Sequence, residues 1–519
     1  MSLDWARIPT EFLFPILKLL SSQDLCRAAA VSHKWRHVAG IDELWRNHCR
    51  ELFVWNGKHP KLLDTFFQEY SFFKNRIPRA VKTIIDDYYY PLKQVVFSSN
   101  GAFMAVTGLP AYLCIYESSS LELLDERCMQ ESLHWESIEH VQFCPDSRKI
   151  LVSGSRPNSP EKIELAIYEI TESFEVHFLC RLPSSPSSFY GCWFDNEHLL
   201  VSELYPLGSP IASSISQIFL VTLPLHRNAP SDFFPILRFL NRHGPVRWPL
   251  VAATASSRFR RVVQLSQQAR QENKTLSQKL AELELSGAVH LEGDLSELRE
   301  VLDKEQQCFR CYLKHQLTSE EYGTDLPLDC GCMCHQIINR LFIFVVEDDE
   351  EEKIGIKLIG NEILKDTFNM KRFKVEDSET DTDLWQFIAR RVDEIDHIIP
   401  LGGTVLSMKL STDQKQLIVT VDTGSSGIRL RSIDLDKMVM DIVGFYGRGE
   451  SDGDLVVDVG SNVVVGVQGN RLNVWSRYHL GLPIGDLEAK ARCVAVHPVD
   501  EHVVTLSDMQ LYVWEAADK

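Results

Sequence analysis

The chain has 519 residues, 44% of them apolar and 24% charged, with a formal net charge of −18. That is a globular composition, long enough for two to four domains or one large repeat array plus a small module, and its acidic balance argues against binding nucleic acid through the phosphate backbone. No run approaches the ~20 apolar residues of a transmembrane helix, so no membrane partner is expected, and an odd total of thirteen scattered cysteines points to a reducing, cytoplasmic compartment.

Residues 8–46 read as three short helices. Thr10 is placed to cap the first, with Glu11 in its opening turn and Leu13, Ile16, Leu17 and Leu20 at helical spacing. Ser21-Ser22-Gln23-Asp24 resembles a capping box for a second helix carrying Leu25, Ala28, Ala29 and Val31. A third element follows Ser32, with Trp35 and Val38 inward, and Asp42 precedes Leu44 and Trp45. Forty residues hardly bury that much apolar surface alone, so part of it needs a partner. Residues 1–50 hold seven basic side chains against five acidic, a slightly basic head on an acidic body.

These residues resemble an F-box: Ile8-Pro9, Leu13, Ile16-Leu17, Asp24-Leu25, Val31-Ser32, Trp35-Arg36 and Leu44-Trp45. The resemblance implies a three-helix module whose apolar face docks on a Skp-type adaptor, which in turn binds a cullin. Pro9, Leu13, Ile16, Leu17, Leu25 and Val31 are the adaptor contacts it implies.

From about residue 90 short apolar strands alternate with turn signals. Four segments superpose, beginning at Gln94, Glu139, Val405 and Arg492, each a strand, a polar turn, a second strand, a gap and a third strand. A degenerate unit at 454–476 fills the space between the last two, and a further one fits 190–223, with weaker candidates at 232–252 and 341–358. The spacing matches the ~40–45-residue period of WD-type propeller blades. Trp475 and Trp514 end third strands where Tyr116 and Tyr168 stand in the other repeats. The segment AVKTIIDD at 80–87 is placed to supply the outer strand that the last blade lacks. Together with the head, the segments 189–202, 341–357, 392–419 and 474–481 make the chain similar to the F-box/WD-repeat family.

The expected class is α+β and multidomain: a three-helix F-box at 1–50, a helical linker at 51–80, and a WD-type β-propeller of about seven blades at 81–256 and 341–519. A helical, cysteine-rich insertion at 257–340 interrupts it, with Phe259, Val262, Leu265, Ala269, Leu276, Leu280 and Leu283 as an amphipathic stripe. No cofactor is required. The alternative is a zinc ion held by Cys308, Cys311, Cys330 and Cys332, with Cys334 or His335 as substitutes. The acidic runs 347–352 and 376–383 read as solvated loop tips, and Ser378, Thr380 and Thr382 sit in surroundings that acid-directed kinases favour. The chain contains no GxSxG, Walker, HExxH or Rossmann motif, which argues for binding rather than catalysis. The family resemblance implies a substrate receptor of a cullin–RING ubiquitin ligase. It also implies protein targets, centriole-assembly or cytoskeletal regulators among them, with nuclear or centrosomal sites beside the cytoplasmic one. Two alternatives stand: a propeller scaffold without ligase function, and a receptor docking another cullin class through the propeller. The second usually shows Trp-Asp-x-Arg at a blade end, where this chain has Trp475-Ser476-Arg477-Tyr478.

Overall fold

A computed structural model describes residues 8–52, 64–76, 78–86, 88–157, 159–186, 190–206, 214–223, 232–241, 244–253, 340–348, 351–360, 363, 392–424, 427–435, 438–446, 455–468, 470–477, 483–489, 491–500 and 502–516. The chain divides into two compact units, residues 1–88 with 450–519, and residues 89–449.

In the first unit the described residues open with α1 (Thr10–Leu17), α2 (Ser22–Ala29), α3 (His33–Ala39), α4 (Asp42–Leu52) and α5 (Phe66–Arg76). The expected third element is thus two helices, parted at Gly40, the C-cap of α3. Pro9, not Thr10, is the N-cap of α1: its carbonyl accepts from the amides of Phe12 and Leu13 at 3.1 Å, without any side-chain cap. Ser21 and Ser32 do cap, accepting from the amides of Asp24 (3.2 Å) and Trp35 (3.3 Å). The helix α5 falls in the stretch expected to be a linker, and the strand β1 (Pro78–Ile85) starts slightly before the expected propeller boundary.

The second unit holds five four-stranded antiparallel sheets among its described residues. Blade 1 is β2 (Leu92–Phe97), β3 (Phe103–Gly108), β4 (Tyr112–Glu117) and β5 (Leu123–Cys128), followed by the short helix α6 (Met129–Leu133). Blade 2 is β6 (Ser137–Phe143), β7 (Lys149–Arg156), β8 (Ser159–Ile170) and β9 (Val176–Pro186). Blade 3 is β10 (Cys192–Trp193), β11 (His198–Pro206), β12 (Ser214–Thr222) and β13 (Asp232–Asn241). Blade 4 is β14 (Arg247–Ala253), β15 (Arg340–Asp348), β16 (Glu351–Ile359) and β17 (His397–Pro400). Blade 5 is β18 (Thr404–Leu410), β19 (Gln416–Asp422), β20 (Ile428–Asp434) and β21 (Val439–Tyr446).

The first unit adds blade 6, with β22 (Val456–Val459), β23 (Val463–Gln468), β24 (Arg471–Ser476) and β25 (Gly485–Glu488). Its last sheet orders as β1, β28 (Leu511–Ala516), β27 (Val503–Leu506) and β26 (Cys493–Val496). The segment before the first blade therefore completes the last one, pairing from Pro78↔Ala516 to Ile85↔Leu511. The described residues thus make seven four-stranded blades, a seven-bladed WD-type β-propeller in fold class.

The repeats agree at atomic level. The amides of Ser98, Cys144, Ser411 and His497 each close their turn on a carbonyl five residues on, at 2.8–2.9 Å. Ser98 Oγ, Cys144 Sγ and Ser411 Oγ then accept the amides of Phe103, Lys149 and Gln416 at 2.9–3.0 Å. Trp475, Trp514, Tyr116 and Tyr168 are all buried, and Trp514 Nε1 donates to Thr505 Oγ1 at 2.9 Å. In blade 2, Trp135 Nε1 donates to the buried Glu164 at 2.8 Å. A Cβ on Gly154 would lie 2.2 Å from the Trp135 ring, so only glycine fits there.

Two expectations are corrected. The weak units at 232–252 and 341–358 are not separate blades. The first is the outer strand of blade 3 plus the inner strand of blade 4, and the second is the next two strands of blade 4. The expected 257–340 insertion, apart from Arg340, lies outside the described residues, between β14 and β15. The run at 347–352 is not wholly a solvated tip: Glu347, Asp348, Glu351 and Glu352 pair in the β15–β16 hairpin. Glu352 is buried, ion-paired with Arg247, and accepts the Val405 amide at 2.5 Å, because an otherwise bare charge would not survive between packed blades. The run at 376–383 is outside the described residues.

Burial, aided by the Lys409 charge, pushes His140 down to about 4, and burial aided by His497 does the same to His502. A histidine whose folded pKa lies below its unfolded value of about 6.5 protonates first in the unfolded chain. Its contribution is therefore complete above that pH and is lost as pH falls toward 4. Thermal melts from pH 7.5 to 4.5 should show Tm falling below about pH 6.5, with the slope shallower in His502→Gln. A Tm constant down to pH 4.5 would contradict this.

Candidate functional site

The core of the helical head is built from one side of α1. Leu13 and Leu17 are fully buried with Leu25, Ala28, Val38, Ala39, Leu44, Trp45 and Cys49. The helix α5 covers this core from its own side: Trp45 packs edge-on to Phe67 with centroids 4.7 Å apart, and Tyr70 Oη meets Ser22 Oγ at 2.8 Å. The Phe66 amide donates to Asp42 at 2.8 Å, and Trp45 Nε1 donates to the Ala39 carbonyl at 2.6 Å. Burial, then the Glu69 and Asp42 carboxylates, push the Cys49 thiol up to about 12, so it is packing rather than a nucleophile.

Among the described residues, the other side of α1 has no such cover. Phe12 is 67% exposed, Ile16 41% and Leu19 88%, with Pro9 and Pro15 exposed beside them. Val31, in the turn from α2 to α3, is 58% exposed. Of the six expected contacts, Pro9, Ile16 and Val31 are available to a partner. Leu13, Leu17 and Leu25 are corrected to core, because their burial inside the head leaves a partner nothing to touch. Phe12 and Leu19 were missed. Their signal was the spacing 12, 16, 19, a second apolar face on a helix already apolar on the first.

A second surface belongs to the residue 89–449 unit. Tyr89 precedes β2, Leu109 follows β3, Tyr190 precedes β10, Tyr205 lies at the end of β11, and Trp248 opens β14. All five are exposed at the end of the sheets where the first strands start, on blades 1, 3 and 4. Trp248 has φ +53, a left-handed conformation that a bulky residue rarely adopts and that collects at functional positions.

The expected zinc ligands are not among the described residues. Cys308, Cys311, Cys330 and Cys332, like Cys334 and His335, lie outside them, and the eight described cysteines are free thiols. His497, Asp500 and His502 bring ligand atoms within 4.8 Å of one another. His497 Nδ1, however, accepts the amides of Asp500 (2.9 Å) and Val499 (3.3 Å), so it is already engaged in holding its own turn.

Residues 5–51 match the F-box-like family model. They form an F-box-like domain. The chain is also similar to F-box/WD repeat-containing protein 5 of Homo sapiens, 21% identical over 214 residues, which are 40% of this chain and 37% of that relative. It is similar to a probable E3 ubiquitin ligase complex SCF subunit sconB of Penicillium rubens, 44% identical over 46 residues, 9% of this chain and 7% of that one. A solved Cps50 (Swd1) β-propeller domain of Myceliophteria thermophila aligns with TM-score 0.40 and 12% identity, covering 84% of this chain and 99% of that one. The matched part of the first relative is well under two thirds of its length.

The two faces of α1 separate stability from docking. Leu13→Ala or Leu17→Ala should destabilise the F-box-like domain by about 2–5 kcal/mol, the range for emptying a packed aliphatic site. Phe12→Asp should change it by no more than about 0.5 kcal/mol, as for a surface substitution. Urea denaturation followed by Trp45 fluorescence reads both, and equal losses from the two kinds of change would contradict the assignment of faces.

Proposed function

We propose that this protein is a substrate receptor of an SCF-type cullin–RING ubiquitin ligase. The observation that carries the reading is the apolar stripe Pro9, Phe12, Ile16 and Leu19 on an F-box-like domain whose own core is already complete without it. A Skp-type adaptor is the partner for that stripe, and the adaptor brings the cullin. The propeller holds the target, with Tyr89, Leu109, Tyr190, Tyr205 and Trp248 as its docking surface. The gain is positional: a lysine of the bound target meets a ubiquitin-charged enzyme at high effective concentration, and no residue of this chain does chemistry. Centriole or cytoskeletal regulators are the protein targets that the F-box/WD-repeat resemblance implies. A cullin docked through the propeller is the weaker reading, since Trp475, Ser476 and Arg477 are all buried and offer no surface.

The double variant Phe12→Asp with Leu19→Asp removes the stripe without touching the core. Each lost apolar contact at a well-packed interface costs about 1–3 kcal/mol, and 1.4 kcal/mol is tenfold in affinity. The variant should therefore lose co-purification of adaptor and cullin from cells while the propeller keeps its melting temperature. Targets should still bind it and accumulate. Cullin retained at wild-type levels would remove the F-box-like domain as the docking element.

A further inference from the structure

The residue 89–449 unit buries a charge that belongs to neither of the two exposed surfaces. Arg431 lies in the middle of β20 and is 6% exposed. Its register partner is Val419, as Val421 is for Arg429 and Leu417 for Ile433, so both arginines share the sheet face that carries those apolar residues. That face packs against Ile343, Val345, Ile354 and Ile356 of blade 4. Two like charges therefore stand in the seam between blades 4 and 5.

Among the described residues no carboxylate pairs with Arg431. Its Nη1 meets only the Met440 sulfur, at 3.3 Å, and its buried Nε has no hydrogen-bond partner. Burial and the Arg429 charge both lower its pKa from the usual value. The buried carboxylate that crosses the same seam, Glu352, is already committed to Arg247 and the Val405 amide. A buried guanidinium with no counter-charge among the described residues is costly to hold, so its persistence calls for an anion. Access is at Gly402, an exposed residue with φ +64 between β17 and β18; a Cβ there would lie 3.7 Å from Arg431 Nη2.

We propose that Arg431 forms the floor of an oxyanion site in the seam between blades 4 and 5, entered beside Gly402 and taking a carboxylate or a phosphoryl group. The planar guanidinium suits either, because its paired N–H donors match two oxygens at once. The site stands whether or not the receptor reading does.

The test uses the full chain in chloride buffer, with inorganic phosphate or acetate exchanged for chloride at constant ionic strength. Wild type should gain a few degrees in Tm with at least one of the two anions, since a ligand that binds only the folded state stabilises it. Response to phosphate alone assigns a phosphoryl ligand, and response to acetate a carboxylate. Arg431→Met should abolish the response, and in chloride it should melt at or above the wild-type temperature, because the uncompensated charge is gone. Arg431→Lys, a charge without the fork, should respond more weakly. Two results overturn the proposal: a wild type indifferent to both anions, or an Arg431→Met protein equally destabilised, or unfolded, with and without them. The second would give Arg431 an internal counter-charge.

Discussion

The pairing of β1 with β28 is the contact on which the rest depends. It joins Val81 to Trp514 and Ile84 to Tyr512, and it brings Lys82 against Glu515 across 433 residues of chain. Closing so long a loop costs entropy, although that cost grows only slowly with length. The return is that β28, otherwise an edge strand with a row of unpaired amides and carbonyls, is covered. The exposed Lys82–Glu515 ion pair adds little to this. The ladder and the burial of Val513 and Trp514 beneath it carry the stability.

The same seam seats the F-box-like domain. One residue separates the end of α5 at Arg76 from the start of β1 at Pro78, and α5 packs on β28. Ile484, just before β25, is partly buried against two cores at once: that of the helical head and that of blades 6 and 7. The head is thus fastened to the last blades by chain continuity and by apolar contact. On the proposed reading, this fastening lets an adaptor bound to one face of α1 be held in a fixed orientation to the last blades. A receptor working by position needs that more than it needs any reactive group.

Much of this was legible in the residues. The polar turns at Ser98, Cys144, Ser411 and His497 aligned because each closes by the same backbone hydrogen bond to the carbonyl five residues on, and in the first three the side chain also accepts that residue's amide. The segment 80–87 was legible as a strand-like stretch ahead of the first repeat, and it pairs with the last blade. Helix α1 was not fully legible, since both of its faces are apolar: spacing alone cannot say that Leu13 and Leu17 go inward while Phe12 and Ile16 stay out. Blade 4 was split because residues 254–339 separate its first strand from its second. Glu352 looked like one more solvated acid, and only folding brings it to Arg247, 105 residues earlier. Arg431 drew no notice in the sequence, since nothing local reports which face of β20 is covered.

Amide hydrogen exchange on the full chain, resolved by peptide, tests the central claim most directly. Slow exchange requires that a backbone hydrogen bond open only by unfolding the element that holds it. The account predicts that peptides covering Pro78–Ile85 are protected as strongly as those covering Val503–Leu506 and Leu511–Ala516, and that all three lose protection together as urea is added. Rapid exchange across 78–85, with 503–516 still protected, would show that β1 is not an integral strand of the last blade and would contradict the account.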